Sequence, residues 1–383
     1  MESLKVFFDL TYSTQETILL WTFVFFTLIQ LYFYLVKYLR FVIFKPKRYA
    51  EHKEPVSVII CAKNEVENLK KNLHLILTQN YPDFEVIVVN DCSSDSTEMF
   101  LAEMKAKYSN LRVTTIIEDE RFPHGKKLAL TIGIKGAKNE ILLMTDADCH
   151  PKSQNWIANI QRNFTPEIDI VLGFGRYSQH SGFVNSLIRF DTLLIALQYF
   201  SYALARVPYM GVGRNLAYRK SLFFKHKGFA SHIKYLSGDD DLFINEAATK
   251  SNTAIEFSLD SHTISEPKKT LNEWFVQKRR HLSTGESYKF KHKFLLGLEY
   301  ISRIFFFLML IVLIITQINI IGITLSIFLF KTILQLIIIK LAMKRLNEKD
   351  LLLTSPAFDI FLPLLNFGLV ISNYFISKKN RWK

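Results

Sequence analysis

Val56-Ser-Val-Ile-Ile-Cys-Ala-Lys-Asn-Glu65 decides the fold. Its first half is an apolar run broken only by Ser57, the pattern of a strand buried on both faces, and its second half turns polar at Lys63. Val66 to Gln79 follows, with Leu69, Leu73, Ile76 and Leu77 at helical spacing. Phe84-Glu-Val-Ile-Val-Val89 is a second strand. Ser93 or Ser94 is placed to cap the next helix, with Glu98 in its first turn. Leu111 to Ile117 reads as a third strand, Lys126 to Ala137 as a helix and Ile141-Leu-Leu-Met-Thr145 as a fourth strand. Strands alternating with helices predict an α/β fold with a mostly parallel sheet covered on both faces. Ligands of such sheets bind at the C-terminal ends of the strands. The polar residues that matter are then those that follow strands: Asn64 and Glu65, Asn90 and Asp91, Asp146 and Asp148.

On either side of this segment the chain turns apolar. Thr17 to Val36 is apolar apart from three threonines and Gln30, and ~20 such residues cross a bilayer as a helix. Lys37, Arg40, Lys45, Lys47 and Arg48 follow it, while Glu2, Lys5, Asp9 and Glu16 precede it. The positive-inside rule therefore puts the residues after Val36 in the cytoplasm. Ile301 to Ile315 and Ile318 to Ile339 read as two further spans, with Lys331 turned toward a neighbouring helix. Leu351 to Ile376 holds Pro356, Asp359 and Pro363 and lies between two basic clusters, Lys344, Arg345 and Lys349 before it and Lys378, Lys379, Arg381 and Lys383 after it. It reads as a third span or as a kinked interfacial piece. Three regions result: an N-terminal anchor with its basic flank (1–54), a soluble domain (55–290) and a C-terminal membrane region (291–383).

The net charge of +13 points to an anionic membrane surface. No zinc-finger spacing, basic-aromatic motif or heptad run is present, so nucleic acid is not expected as a partner. Cys61, Cys92 and Cys149 are too few and too far apart for a zinc site or a disulfide scaffold. They read as small buried residues in a reducing compartment.

Four polar clusters carry the chemistry. In Thr145-Asp-Ala-Asp-Cys149, two carboxylates spaced one residue apart follow an apolar strand, a place to hold Mg2+ or Mn2+. Asp91 ends its strand free to accept hydrogen bonds from a base or a ribose. In Leu236-Ser-Gly-Asp-Asp-Asp-Leu242, three adjacent carboxylates repel one another. That suits a general base, with Asp239 facing the site while Asp240 and Asp241 open a helix. Gln277-Lys-Arg-Arg-His281, on a helix beginning near Leu271, is either a basic face near lipid or a clamp on a leaving diphosphate. Val184 to Arg206, mostly apolar, reads either as a core helix or as one at the membrane surface that brings in the acceptor.

In order and spacing these segments resemble glycosyltransferase family 2, the inverting GT-A fold enzymes that include cellulose and hyaluronan synthases. The resemblance covers about residues 55 to 290. It implies that Val56 to Glu65, with Asn64 and Glu65, forms the first strand and nucleotide loop, and that Asp91 contacts the nucleotide. His124-Gly-Lys-Lys-Leu-Ala-Leu130, with Lys126, matches the segment near the donor. Asp146 and Asp148 match the metal-binding Asp-x-Asp, and Gly211-Val-Gly-Arg-Asn-Leu-Ala-Tyr218 the acceptor side. Asp239 takes the base position, with Gly238 where the family pattern has Glu and Asp240 as second candidate. Gln277 and Arg280 would steady the leaving group. The implied function is inverting transfer of a sugar from a nucleotide-sugar to a glycan or lipid-linked acceptor at the cytoplasmic membrane face. His281 stands where polymer synthases carry a Trp, which implies short products. The alternatives are a polyprenyl-phosphate sugar synthase and, from another class, a transporter or a non-catalytic membrane scaffold. Against a transporter, the polar residues concentrate in the soluble domain rather than in the spans.

Overall fold

The computed structural model describes residues 13–46, 53–117, 125–235 and 237–375. Glu2, Lys5, Asp9, Lys47, Arg48, His124, Leu236, Lys378, Lys379, Arg381 and Lys383, which entered the sequence reading, lie outside those residues. In chain order the elements begin with α1 (Thr14–Ile43), which winds as a π-helix over Phe33–Tyr38. There follow β1 (Val56–Ala62), α2 (Val66–Leu77), β2 (Phe84–Asp91), α3 (Thr97–Lys107), β3 (Leu111–Ile116), α4 (Lys126–Gly136) and β4 (Ile141–Asp146). Next are β5 (Cys149–Pro151), α5 (Trp156–Gln161), β6 (Ile170–Leu172), β7 (Gly175–Tyr177), α6 (Phe183–Leu204) and β8 (Leu216–Arg219). The chain continues with α7 (Lys220–Lys225), α8 (Asp241–Ala247), β9 (Thr253–Ile255), β10 (Thr263–Ser265) and α9 (Leu271–Leu282). It ends with α10 (Phe290–Thr316), α11 (Ile321–Arg345) and α12 (Ser355–Phe375).

The main sheet has the order β3-β2-β1-β4-β8-β6-β9. Its first four strands are parallel, and β8 runs antiparallel to both of its neighbours. A small second sheet, β5-β10-β7, stands beside it. The chain leaves β1 for β2 and β3 on one side, then returns to place β4 on the other, so the strand order reverses between β1 and β4. A crevice opens at the strand ends of such a reversal.

The apolar runs explain the layering. Val58 and Ile60, with Val86 and Val88, pack on Leu69, Leu73 and Ile76 of α2; Ile59, Ile87 and Val89 face the other way, onto Ala129 and Ile134 of α4. α4 lies so close that a Cβ at Gly133 would sit 2.7 Å from Ile59 Cγ2. α2 stops at Leu77, before the expected Gln79, whose amide instead bonds the carbonyls of Leu75 and Ser153.

Neither Ser93 nor Ser94 caps α3, contrary to expectation. Asp95 Oδ1 accepts from Thr97 N at 3.0 Å, while Ser93 Oγ accepts from Asn64 N at 2.9 Å and Ser94 N donates to Asn64 Oδ1 at 2.8 Å. The serines tie the loop after β2 to the loop after β1. None of the three cysteines forms a disulfide; Cys149 is buried, Cys61 and Cys92 partly so.

Among the described residues five helices, including α1, α6, α10 and α12, are long and apolar enough to cross a membrane. In α6, 67% of the most apolar window is buried inside the protein, which makes it a core helix. Its charges explain why it is not apolar throughout. Arg189 bonds Glu348 Oε2 through Nη2 at 2.6 Å, and Asp191 receives Lys278 Nζ at 2.6 Å. α1 and α10 run antiparallel, with Phe23 stacked on Phe306 and Phe26 on Phe305. Lys331 of α11 is buried, with Gln335 Oε1 at 2.5 Å and Asp359 of α12 at 3.7 Å, so it does face a neighbouring helix.

Candidate active site

The crevice between β1 and β4 is walled by Cys61, Lys126, Thr145, Asp146, Gly213, Asp239 and Asp240. The strand ends supply the first candidates. Asn64 has φ of 57°, in the left-handed region that Asn tolerates better than most residues, and its side chain accepts the Ser94 amide. Glu65 accepts Asn68 Nδ2 at 2.6 Å, and burial raises its pKa. Asp91 is fully buried, yet its Oδ2, like Asn90 Oδ1 beside it, has no hydrogen-bond partner. Buried carboxylate oxygens nearly always have one, so Asp91 Oδ2 stands out as an unused acceptor.

At the end of β4, ligand atoms of Asp146, Asp148 and Cys149 lie within 4.8 Å of one another. Ala147, buried between the two aspartates, is pinned by Asn72 Nδ2 on its carbonyl at 3.1 Å. Burial pushes the Cys149 thiol well up, so it stays protonated and donates to Asp148 Oδ1 at 3.4 Å. Two carboxylates remain as donors. That set is hard and oxygen-only, and it fits Mg2+ or Mn2+ better than zinc. Asp148 is exposed, although its enclosed setting and then the Asp146 charge raise its pKa.

Lys126, at the start of α4, joins this pair to the second acidic cluster. Its Nζ lies 2.9 Å from Asp146 Oδ1 and 2.9 Å from Asp239 Oδ2. Burial works against the Lys126 charge, but Asp146 and Asp239 outweigh it and hold its pKa well above the usual lysine value. Burial likewise disfavours the charge on Asp239, and Lys126 more than compensates, keeping it below the ordinary range. Asp240 differs. Its Oδ1 caps α8 through Asp241 N at 2.8 Å and its Oδ2 accepts Gly213 N at 2.7 Å. Burial, then the charges of Asp239 and Asp241, push its pKa up to about 7. Gly238, where the family pattern has Glu, sits at φ of 97°, and a Cβ there would lie 2.5 Å from Leu242 Cδ1. The local backbone thus excludes the Glu side chain.

The far wall comes from Gly213–Asn215 and α9. Arg214 bonds Ser265 Oγ at 3.0 Å, lies 4.1 Å above the Tyr177 ring, and directs its charge at Asp148. Sequence reading passed over it; the only signal was an Arg between Gly213 and Asn215 in an otherwise apolar segment. Gln277 donates to the same Tyr177 hydroxyl at 3.4 Å, so the structure brings it to this wall. Arg280 and His281 follow Gln277 by three and four residues and so share its side of α9; both are open to solvent, and Arg214 and Lys126 lie near enough to His281 to oppose its charge. Lys278 of the same cluster is buried against Asp191, which makes the run only partly a basic face.

A mostly parallel sheet covered on both faces, with an acidic crevice at its strand reversal, is the α/β arrangement of the GT-A fold. Residues 57–226 match the family model described as Glycosyl transferase family 2. The chain is 38% identical over 104 residues, 27% of its length, to "Glycosyltransferase AglE" of Haloferax volcanii. It is 35% identical over 101 residues, 26% of its length, to "Poly-beta-1,6-N-acetyl-D-glucosamine synthase" of Staphylococcus epidermidis. These matches span 33% and 23% of the two relatives' own lengths. In three dimensions it resembles the mannosyltransferase PcManGT from Pyrobaculum calidifontis, solved with GDP-Man and Mn2+. The TM-score is 0.58 and the identity 18%, over 86% of this chain and 98% of that one.

Proposed function

We propose that this glycosyltransferase carries out inverting, metal-dependent transfer from a nucleotide-sugar to a glycan or lipid-linked acceptor, with residues 55–290 at the cytoplasmic face of the membrane. The observation that carries the reading is the Lys126 bridge. One ammonium holds a carboxylate of the Asp-x-Asp pair and the candidate base at 2.9 Å each, so donor phosphates and acceptor hydroxyl would meet around one cation. Asp146 and Asp148 would hold Mg2+ or Mn2+, which supplies Lewis-acid neutralisation of the diphosphate when bound. Asp91, with Asn64 and Glu65, lines the place for the nucleoside. Asp239 or Asp240 takes the proton from the acceptor hydroxyl as it attacks the anomeric carbon from the far side. Arg214 and Gln277 face the departing diphosphate, with Arg280 near the entrance. The relative named as a poly-beta-1,6-N-acetyl-D-glucosamine synthase supports a cell-envelope polysaccharide product.

The test is nucleoside diphosphate release by the full-length protein in nanodiscs, across a panel of UDP- and GDP-sugars, with and without Mg2+ or Mn2+. Wild type should need the metal. Asp148→Ala should lose nearly all turnover while keeping its thermal midpoint. Undiminished turnover in chelator, or in a folded Asp148→Ala protein at saturating Mn2+, would overturn the reading.

A further inference from the structure

α8 carries the acidic cluster at its start, and one of its faces is bonded to the chain that leads into the membrane helix α10. Asp241 Oδ2 accepts the Thr284 hydroxyl and, at 2.7 Å, the Tyr288 hydroxyl. Asp241 Oδ1 accepts Leu242 N at 2.8 Å, so both oxygens of this buried carboxylate are used. One turn further, Asn245 Oδ1 accepts Lys289 N at 2.9 Å, and its amide stands 2.9 Å from His292 Nδ1. Residues four apart share a helix face. Asp241 and Asn245 therefore form a seam along α8, closed by residues 284–292, which run directly into α10.

We propose that Asp241 is a positioning residue for the transfer reaction: clamped by Thr284 and Tyr288, it fixes the Asp239–Asp240 pair relative to the membrane helix. This rests on the reading of that pair as holding the general base. The opposite side of the pair is fixed by the soluble domain, through Lys126 on Asp239 and Gly213 N on Asp240. The acidic turn is thus held between two bodies, and the seam supplies the membrane side.

The seam has a chemical consequence besides geometry. Burial raises the pKa of Asp241, and the hydroxyls of Thr284 and Tyr288 hold that rise back by favouring its ionised form. An ionised Asp241 repels charge on Asp240. The other groups facing Asp240 are Asp239 on its own turn, Lys126 and Lys127 from α4, Tyr218 from β8 and Tyr288 from the seam; those facing Asp241 include Lys127 and Tyr209 from the segment after α6. Loss of a seam hydroxyl lets Asp241 take up a proton more readily. Asp240 then ionises at lower pH.

The test measures nucleoside diphosphate release by full-length protein in nanodiscs, with UDP- and GDP-sugars as donors and water as acceptor, between pH 5 and 9. Tyr288→Phe and Thr284→Ala should move the acid limb of kcat to lower pH and lower its plateau about tenfold, the scale of a sub-ångström misplacement. KM for the donor should stay unchanged, and Thr284→Ser should restore the wild-type profile. If Asp240→Asn removes the limb but Tyr288→Phe and Thr284→Ala leave it in place, or raise KM alone, the positioning role is overturned and the base reading stands. A wild-type rate with no acid limb overturns Asp240 as the base, and with it the coupling of Asp241 to the transfer.

Discussion

Two neighbouring carboxylates in the acidic turn have opposite electrostatic fates. Asp239 is held ionised by Lys126, whereas Asp240 is pushed to about 7 by burial and two like charges. A base works best with a pKa near the working pH, which favours Asp240; the Lys126 bridge, which joins Asp239 to Asp146, favours Asp239. Kinetics separates the two. If Asp240 is the base, turnover should rise as pH rises through about 7 and Asp240→Asn should cost about 10²–10⁴-fold. If Asp239 is the base, turnover should be flat across that range and Asp239→Asn should carry the loss. The same group leaves a mark on stability. Its folded-state pKa is raised, so its contribution is fully present below the unfolded value of 3.8 and is lost as pH climbs through about 7. Wild type should therefore melt higher near pH 5 than near pH 7.5 by more than Asp240→Asn does, as differential scanning fluorimetry would report.

At the scale of elements, the first four strands and their helices were legible because buried parallel strands write themselves as apolar runs, and α2 repeats Leu69, Leu73 and Ile76 at helical spacing. Asp146 and Asp148 were legible because a buried strand ends on them. The tertiary ties were not. Nothing local says that Ser93 and Ser94 would serve Asn64 rather than α3, that Lys126 would join two distant acidic clusters, or that Lys278 would leave the basic run to meet Asp191 in α6. Arg214 escaped notice for the same reason: its role comes from Tyr177 and Ser265, on strands remote in sequence. α9 shows what this means for products. Its Gln277 reaches the wall of the site, but His281 is exposed and offers no broad aromatic surface for a sugar to stack on. One or a few sugars should be added per encounter, and product lengths by mass spectrometry at limiting enzyme check it. Long polymer beside mostly unextended acceptor would contradict it.

At the scale of the whole molecule, the arrangement of the long helices constrains which side of the membrane each end occupies. α1 and α10 are antiparallel, and Asn319, just beyond α10, donates to Glu16 at 3.4 Å, so the start of α1 and the α10–α11 turn share one end. The other end holds the catalytic domain. There Arg345 of α11 bonds the carbonyl of Phe44 at 2.6 Å, and Glu348 pairs with Arg189 of α6. α12 begins at that same end, with Phe358 against Phe183 and Phe190 of α6. Among the described residues its polar contacts to α10 include Tyr300 on the Pro363 carbonyl and Arg303 on Asp359. Basic residues gather at the catalytic end, which under the positive-inside rule supports the proposed cytoplasmic orientation. Single cysteines read by a membrane-impermeant thiol reagent in intact cells test the assignment. Gln15→Cys and Asn319→Cys should be modified. Met99→Cys on α3, 73% exposed, and Leu353→Cys in the α11–α12 turn, 96% exposed, should react only after the membrane is opened. Modification of Met99→Cys in sealed cells would place the catalytic domain on the outer face. The donor would then have to be something other than a cytoplasmic nucleotide-sugar.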